Sequence, residues 1–225
     1  SHLIFGRYMV TAHDQEVPYD LDASKNLLVS AGGGGVQPNG FSDRHHGVVA
    51  GNTWVINART LNSIRFSYNR VTVDKSGAQF FNPQDVGINQ WTSVDKHFLV
   101  AVPGYFNIGS GPTAKREMWQ DQVQISNDLN LVRGAHQFDL GGTWGRSDVV
   151  SLAHTRGVGG INFAATGGTG NALGNFMLGR VDNIRQSMPS AMSPYQDYIA
   201  LYGQDTWRAT PKLTVNVGLR WEPYM

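Results

Sequence analysis

Apolar and polar residues alternate strictly over several stretches of this chain. From Leu213 one face carries Leu213, Val215, Val217, Leu219 and Trp221, and the other Thr214, Asn216, Gly218, Arg220 and Glu222. Val123, Ile125, Leu129 and Leu131 oppose Gln120, Gln122, Gln124, Ser126, Asp128 and Asn130 in the same way. Ile64, Phe66 and Tyr68 oppose Ser63, Arg65, Ser67 and Asn69, while Phe138, Leu140 and Gly142 oppose Gln137, Asp139 and Gly141. A period of two predicts strands whose two faces meet different surroundings. Helical spacing is confined to Asn171–Leu178, where Leu173, Phe176 and Met177 allow one short helix among glycines.

The connections between strands alternate as well. Tight turns are expected near Asn57–Thr60, Val132–Ala135 and Arg208–Lys212, the last marked by Pro211. Between them lie long stretches without periodicity, about Thr11–Gly40, Asp74–Met118 and Asp148–Pro194, which read as irregular loops. In a compact soluble domain such loops would argue against the strand assignment. In an outer-membrane β-barrel, short turns at one rim and long loops at the other are the rule. The expected fold is therefore all-β: about seven antiparallel up-and-down strands, a portion of a transmembrane barrel that is open as a fragment.

Tryptophan placement sharpens that expectation. Trp54 and Trp207 fall just before tight turns, whereas Trp119, Trp144 and Trp221 fall at the opposite strand ends, each in step with its strand's aliphatic residues. Indoles at both ends are expected to form the two aromatic girdles of a barrel. Asp205 is the misfit, because it shares a face with Trp207. The polar face supplies the candidate lumen residues: Ser63, Arg65, Gln120, Gln122, Gln124, Asn216, Arg220 and Glu222. They read either as a substrate path or as a solvated wall in contact with a plug.

Composition narrows the field further. Of 225 residues, 16% are charged and the formal net charge is +1, so a nucleic-acid partner is not expected. With no cysteine, thiolate nucleophiles, disulfides and Cys-type zinc sites are excluded. No apolar run reaches the roughly 18 residues of a membrane-spanning helix, which does not exclude a membrane, because spanning strands alternate. The start at Ser1 and the end at Met225 inside strand-like sequence read as cuts, making residues 1–225 part of one barrel domain without plug or signal peptide.

Candidate chemistry is sparse. His45-His46, with His13, His97 and His154, reads as solvated loop histidines, since adjacent strand residues point to opposite faces and no carboxylate triad accompanies them. Asp20–Ser24 opens like a calcium loop, but Lys25 and Ala31 occupy its Gly and Glu positions. Gly109–Arg116 has Ala114 and Arg116 where a phosphate loop needs Gly and Ser or Thr. Gly32–Gly35 reads as a loop tip. Phe80, Phe81, Trp91, Phe98, Tyr105 and Phe106 could line an external binding site or pack the loop on itself. No catalytic residue, cofactor or metal site is expected, and the chain is not expected to be an enzyme.

The segment Tyr198–Glu222, with Gln204-Asp205-Thr206-Trp207-Arg208, Pro211, Leu213-Thr214 and Gly218-Leu219-Arg220, resembles a hairpin of TonB-dependent receptor barrels, the Oar-like group especially. Gly134-Ala135-His136 with Gly141-Gly142, and Phe176-Met177-Leu178-Gly179, resemble two further motifs of that group, in the same order. The resemblance implies a 22-stranded barrel with its own plug domain, embedded in outer-membrane lipid, coupled to TonB and importing a small ligand. Two rival readings are a passive porin or adhesin-type barrel, and a soluble β-rich carbohydrate-binding or enzyme domain.

Overall fold

The computed structural model describes residues 1–16, 28–29, 39–77, 79, 81–109 and 115–223. Asp20–Ser24, Gly32–Gly35, Phe80 and positions 110–114 of the glycine-rich loop lie outside the described residues.

The chain forms β1 (His2–Gln15), β2 (Leu28–Val29), β3 (Asn39–Asn57), β4 (Thr60–Gly77), β5 (Leu99–Val102), β6 (Phe106–Gly109), β7 (Arg116–Arg133), β8 (His136–Ala153), β9 (Gly160–Asn162), β10 (Asn183–Arg185), β11 (Ser190–Met192), β12 (Tyr195–Thr210) and β13 (Leu213–Trp221). Seven long strands make one antiparallel sheet in the order β1-β3-β4-β7-β8-β12-β13, with β11 added to β8. Every long neighbour is the next long strand in sequence, so the wall is an up-and-down meander. Among the described residues β1 and β13 do not pair, and the sheet is open.

Three two-residue turns join the long strands, each by its own local chemistry. At Ala58-Arg59 the Asn57 side chain accepts from Arg59 N at 2.8 Å. Gly134 takes φ 61° at Gly134-Ala135, a conformation that a Cβ disfavours. At Pro211-Lys212 the Thr210 hydroxyl accepts from Lys212 N at 3.3 Å. Side-chain acceptors two residues back are what close such turns without help from elsewhere.

The strands overrun the expected boundaries at the opposite rim. β4 continues to Gly77, β7 begins at Arg116 and β8 continues to Ala153, so these strands have 18 residues each. Roughly 9–11 tilted residues cross a bilayer, so the surplus projects beyond it. Once a strand leaves lipid both faces are wet and alternation no longer marks it, although the backbone ladder continues.

The described parts of the stretches expected to be irregular are instead organised. β10-β9-β5-β6-β2 form a second sheet, with β5 and β9 parallel, joined by α1 (Ala172–Met177). This cap holds the conventional core: Phe98, Val100, Val102, Ile161, Phe163 and Ala172 are buried, with Leu173 and Phe176 packed against them. Phe176 stands edge-on to both Phe106 and Phe163, at 5.3 and 5.2 Å between ring centres. The helix starts where Asn171 caps Gly174 N at 3.0 Å, but Met177, expected on its apolar face, is exposed.

Candidate functional site

Cross-strand register fixes which side chains share a face, because directly paired residues point the same way. The row Phe66–Ile125–Trp144–Ile199 joins four strands on the apolar face, and Val215, Val217 and Leu219 join it through Trp207, Asp205 and Gly203. The other face carries the polar set. Ser63 is buried, its hydroxyl 3.1 Å from that of Thr53. Arg65 donates to Asp128 at 3.1 Å, Tyr202 donates to the same carboxylate at 2.7 Å, and Gln120 donates to Ser147 at 2.9 Å. Gln122 and Gln124 pair with Asn69 and Ser67 in the adjoining rows, and Asn216 with Thr206. Arg220 contacts Glu222 and Tyr198. The eight candidates thus line one side of the sheet but form no single cluster.

Asp128 accepts from both Arg65 and Tyr202. Tyr202 reaches it by lying across Gly141, where a Cβ would come within 2.3 Å of the ring. Glycine at 141 is therefore a packing requirement, which neither alternation nor turn chemistry reveals.

The five tryptophans of the long strands fall on the apolar face at three heights. Trp54 and Trp207 stand three residues from the turn ends of their strands (57 − 54 and 210 − 207). Trp144 and Trp221 stand eight residues past theirs (144 − 136 and 221 − 213). Trp119 is fourteen from Arg133 (133 − 119), roughly 20 Å farther along its strand than Trp144 at about 3.3 Å per residue. It stands at the end of β7 opposite the turn, above the height of the other two. Tyr68, eight residues past Thr60 (68 − 60), stands at their height instead, its hydroxyl donating to Asp121 at 2.5 Å.

Above that height the apolar face turns ionic. Arg70 meets Asp121 at 3.7 Å, Arg146 meets Asp148 at 3.0 Å and Asp197 at 3.8 Å, and Arg44 meets Asp14 at 2.8 Å. Exposed pairs of this kind stabilise little, but they mark where the apolar band stops. Asp205 is accommodated by His136, which donates to it at 2.7 Å. The imidazole is stacked against Phe138 and Trp207, 5.6 Å from each.

The histidines do not converge. His13, His45 and His46 lie in strands, not loops; His46 contacts Tyr8 at 2.7 Å, and His13 lies 3.8 Å from Asp43. His97 is buried where the cap meets β4, its ring 3.3 Å from the Gly77 carbonyl. His154 is buried just past β8. Among the described residues no group of three metal-ligating side chains occurs. Of the loop aromatics, Phe81, Phe98 and Phe106 pack in the cap core, whereas Trp91 and Tyr105 are exposed.

At the outer end of the polar face a cavity of about 420 Å³ opens against Phe41, Lys75 and Arg116. Sequence reasoning missed it, because Lys75 and Arg116 are distant in the chain and fall in segments read as loops.

The family model for the outer membrane beta barrel domain matches residues 1–225. Among solved structures, the outer membrane transporter YddB from Escherichia coli is similar, with a TM-score of 0.53 and 12% identity. The match covers 98% of this chain and 24% of that one, a likeness of fold. No curated protein matches the sequence.

Proposed function

The chain belongs to the outer membrane beta barrel domain family, and from that premise we propose that it forms barrel wall in a TonB-dependent receptor importing a nutrient ligand. The cap carries this reading. Strands of 18 residues hold an ordered cap with its own apolar core beyond the lipid-facing band. A passive pore needs only a polar lumen, whereas ligand capture needs a shaped outer surface. The resemblance of β12–β13, of the β7–β8 turn and of the α1 segment to Oar-like receptors points the same way. In this reading the apolar face meets outer-membrane lipid. The polar face, from Ser63 and Arg65 to Asn216 and Arg220, meets water and the receptor's own plug.

Purified full-length protein should bind the periplasmic domain of TonB by calorimetry and give no large steady conductance in planar bilayers. Steady conductance with no TonB binding would replace this reading with a passive porin.

A further inference from the structure

We propose that the turn rim of the apolar face holds anionic glycerophospholipid headgroups of the periplasmic leaflet, the side on which outer-membrane barrels keep their short turns. Three turns make this rim, and the backbone ties them into one line. Val132 N donates to the Arg59 carbonyl at 2.8 Å, joining the first turn to the second. Arg208 N donates to the Ala135 carbonyl at 2.8 Å, joining the second to the third. Each turn has an exposed cation in it or beside it: Arg59, Arg133 and Lys212. Successive turns stand two strands apart, roughly 10 Å, so the cations are spaced along the rim and do not crowd one another.

The charge of this rim is unopposed. Segments 55–62, 130–137 and 206–216 all fall within the described residues and contain Arg59, Arg133, Arg208 and Lys212 but no Asp or Glu. Asp205, one residue before the third segment, is held by His136 at 2.7 Å. Among the described residues no carboxylate pairs with Arg59, Arg133 or Lys212. The other boundary of the apolar band is built differently, since Arg44, Arg70 and Arg146 each meet a carboxylate there.

Position selects a lipid as the anion. Arg133 pairs with His136, and His136 with Trp207, on the apolar face. Arg59 and Lys212 lie past the strand ends, beyond Trp54 and Trp207. Indoles settle at headgroup level, and long cationic side chains reach from there to the phosphates. Arg208 shares the rim but pairs with Thr214 on the polar face, beside Gln137 and Thr206, so it turns away from lipid. A zwitterionic headgroup balances its phosphate internally, whereas an anionic one does not, so each cation favours the anionic lipid about fivefold.

This inference rests on the apolar face meeting lipid and is independent of TonB. In the test, full-length protein with Ala58→Cys carries a fluorophore beside Arg59, in vesicles that mix phosphatidylglycerol with phosphatidylcholine. One lipid or the other bears a nitroxide quencher near its glycerol. Quenching should favour phosphatidylglycerol about fivefold at low salt and lose that preference as salt rises. Combining Arg59→Gln, Arg133→Gln and Lys212→Gln should remove the preference, while Arg208→Gln should leave it. Where the combined variant loses its heat-modifiable folded form, Arg59→Gln alone keeps the backbone N–H of position 59 on Asn57 and should cut the preference about twofold or more. Equal quenching by the two lipids, a preference indifferent to salt, or one that survives the substitutions would overturn the inference. Loss of the preference with Arg208→Gln instead would overturn it too, moving the anion to the polar face, where an acidic protein segment is the fitting partner. Quenching by neither lipid would overturn the reading that the apolar face meets lipid.

Discussion

The wall and the cap use the same apolar residue types with opposite exposure. In the wall, Leu219 is 79% exposed, Ile4 77% and Val217 66%; in the cap, Val102 and Val158 are 0% exposed. A soluble sheet with the wall's pattern would be an aggregation surface. In an outer-membrane barrel the same surface is the one that lipid covers. The comparison teaches that apolar residues here report their solvent: period two with aliphatics turned outward in lipid, clusters turned inward in water. Arg44, Arg70 and Arg146, each paired with carboxylates, mark the change from one regime to the other.

The largest expected effect comes from removing cap core. Phe98 is buried, packed against Phe81 at 4.9 Å between ring centres. Phe98→Ala should destabilise the cap by about 3–5 kcal/mol, the usual cost of truncating a core aromatic. Limited proteolysis of the full-length protein should then cut within Gly87–Gly109, while the barrel keeps its heat-modifiable mobility. Loss of the folded barrel as well would show that cap and wall are one cooperative unit, and the contrast between them would fail.

The wall is tested by charge rather than truncation. Ile125 lies on the apolar face between Phe66 and Trp144, and Gln124 on the polar face between Ser67 and Gly145. Ile125→Arg should cost about 2–4 kcal/mol of stability in lipid vesicles, because hydrocarbon offers the guanidinium no partner. Gln124→Arg should cost far less. Val217 is a poorer position for this comparison, since Asp205 stands directly opposite and would pair with the introduced charge. Equal costs at 124 and 125, read from denaturant unfolding, would mean that the apolar face is wet.

Much of the wall was legible because lipid and lumen impose opposite demands on alternate residues. The faces around Ile64–Tyr68, Val123–Leu131 and Leu213–Trp221 agree with the cross-strand register, and so do the three turns. Beyond the bilayer that demand lapses. The strand ends Asp74–Gly77, Arg116–Met118 and Asp148–Ala153 therefore read as loop. The cap was illegible for another reason. Its strands are two to four residues long, too short for a period, and its core joins Phe98 and Val102 to Ile161 and Phe163 across some sixty positions. The cavity against Phe41, Lys75 and Arg116 depends on a register between two of these unread strand ends, so no local pattern announces it.

The smallest expected effect lies at the junction of the two regions. His154 leaves β8 to enter the cap, is 8% exposed, and among the described residues has no hydrogen-bond partner for either ring nitrogen. Burial holds its pKa below the ordinary histidine value, Lys115 depresses it further, and Glu117 opposes the shift. The sign follows from linkage: the unfolded segment takes up the proton first, so the folded junction keeps its full stability above about pH 6.5. Stability then falls as the pH drops from there toward the lower folded-state value. Hydrogen exchange of the amides around Gly157–Ile161 should therefore quicken between about pH 7.5 and about pH 5.5, after correction for intrinsic rates. His154→Leu keeps the apolar packing and removes the proton site, so its corrected exchange should stay flat across that range. An equal quickening in the variant would assign the pH response to another group. A response that also loosened amides near Ile125 would mean that the junction transmits the cap's opening into the wall, and that the two regions are less separate than their solvents suggest.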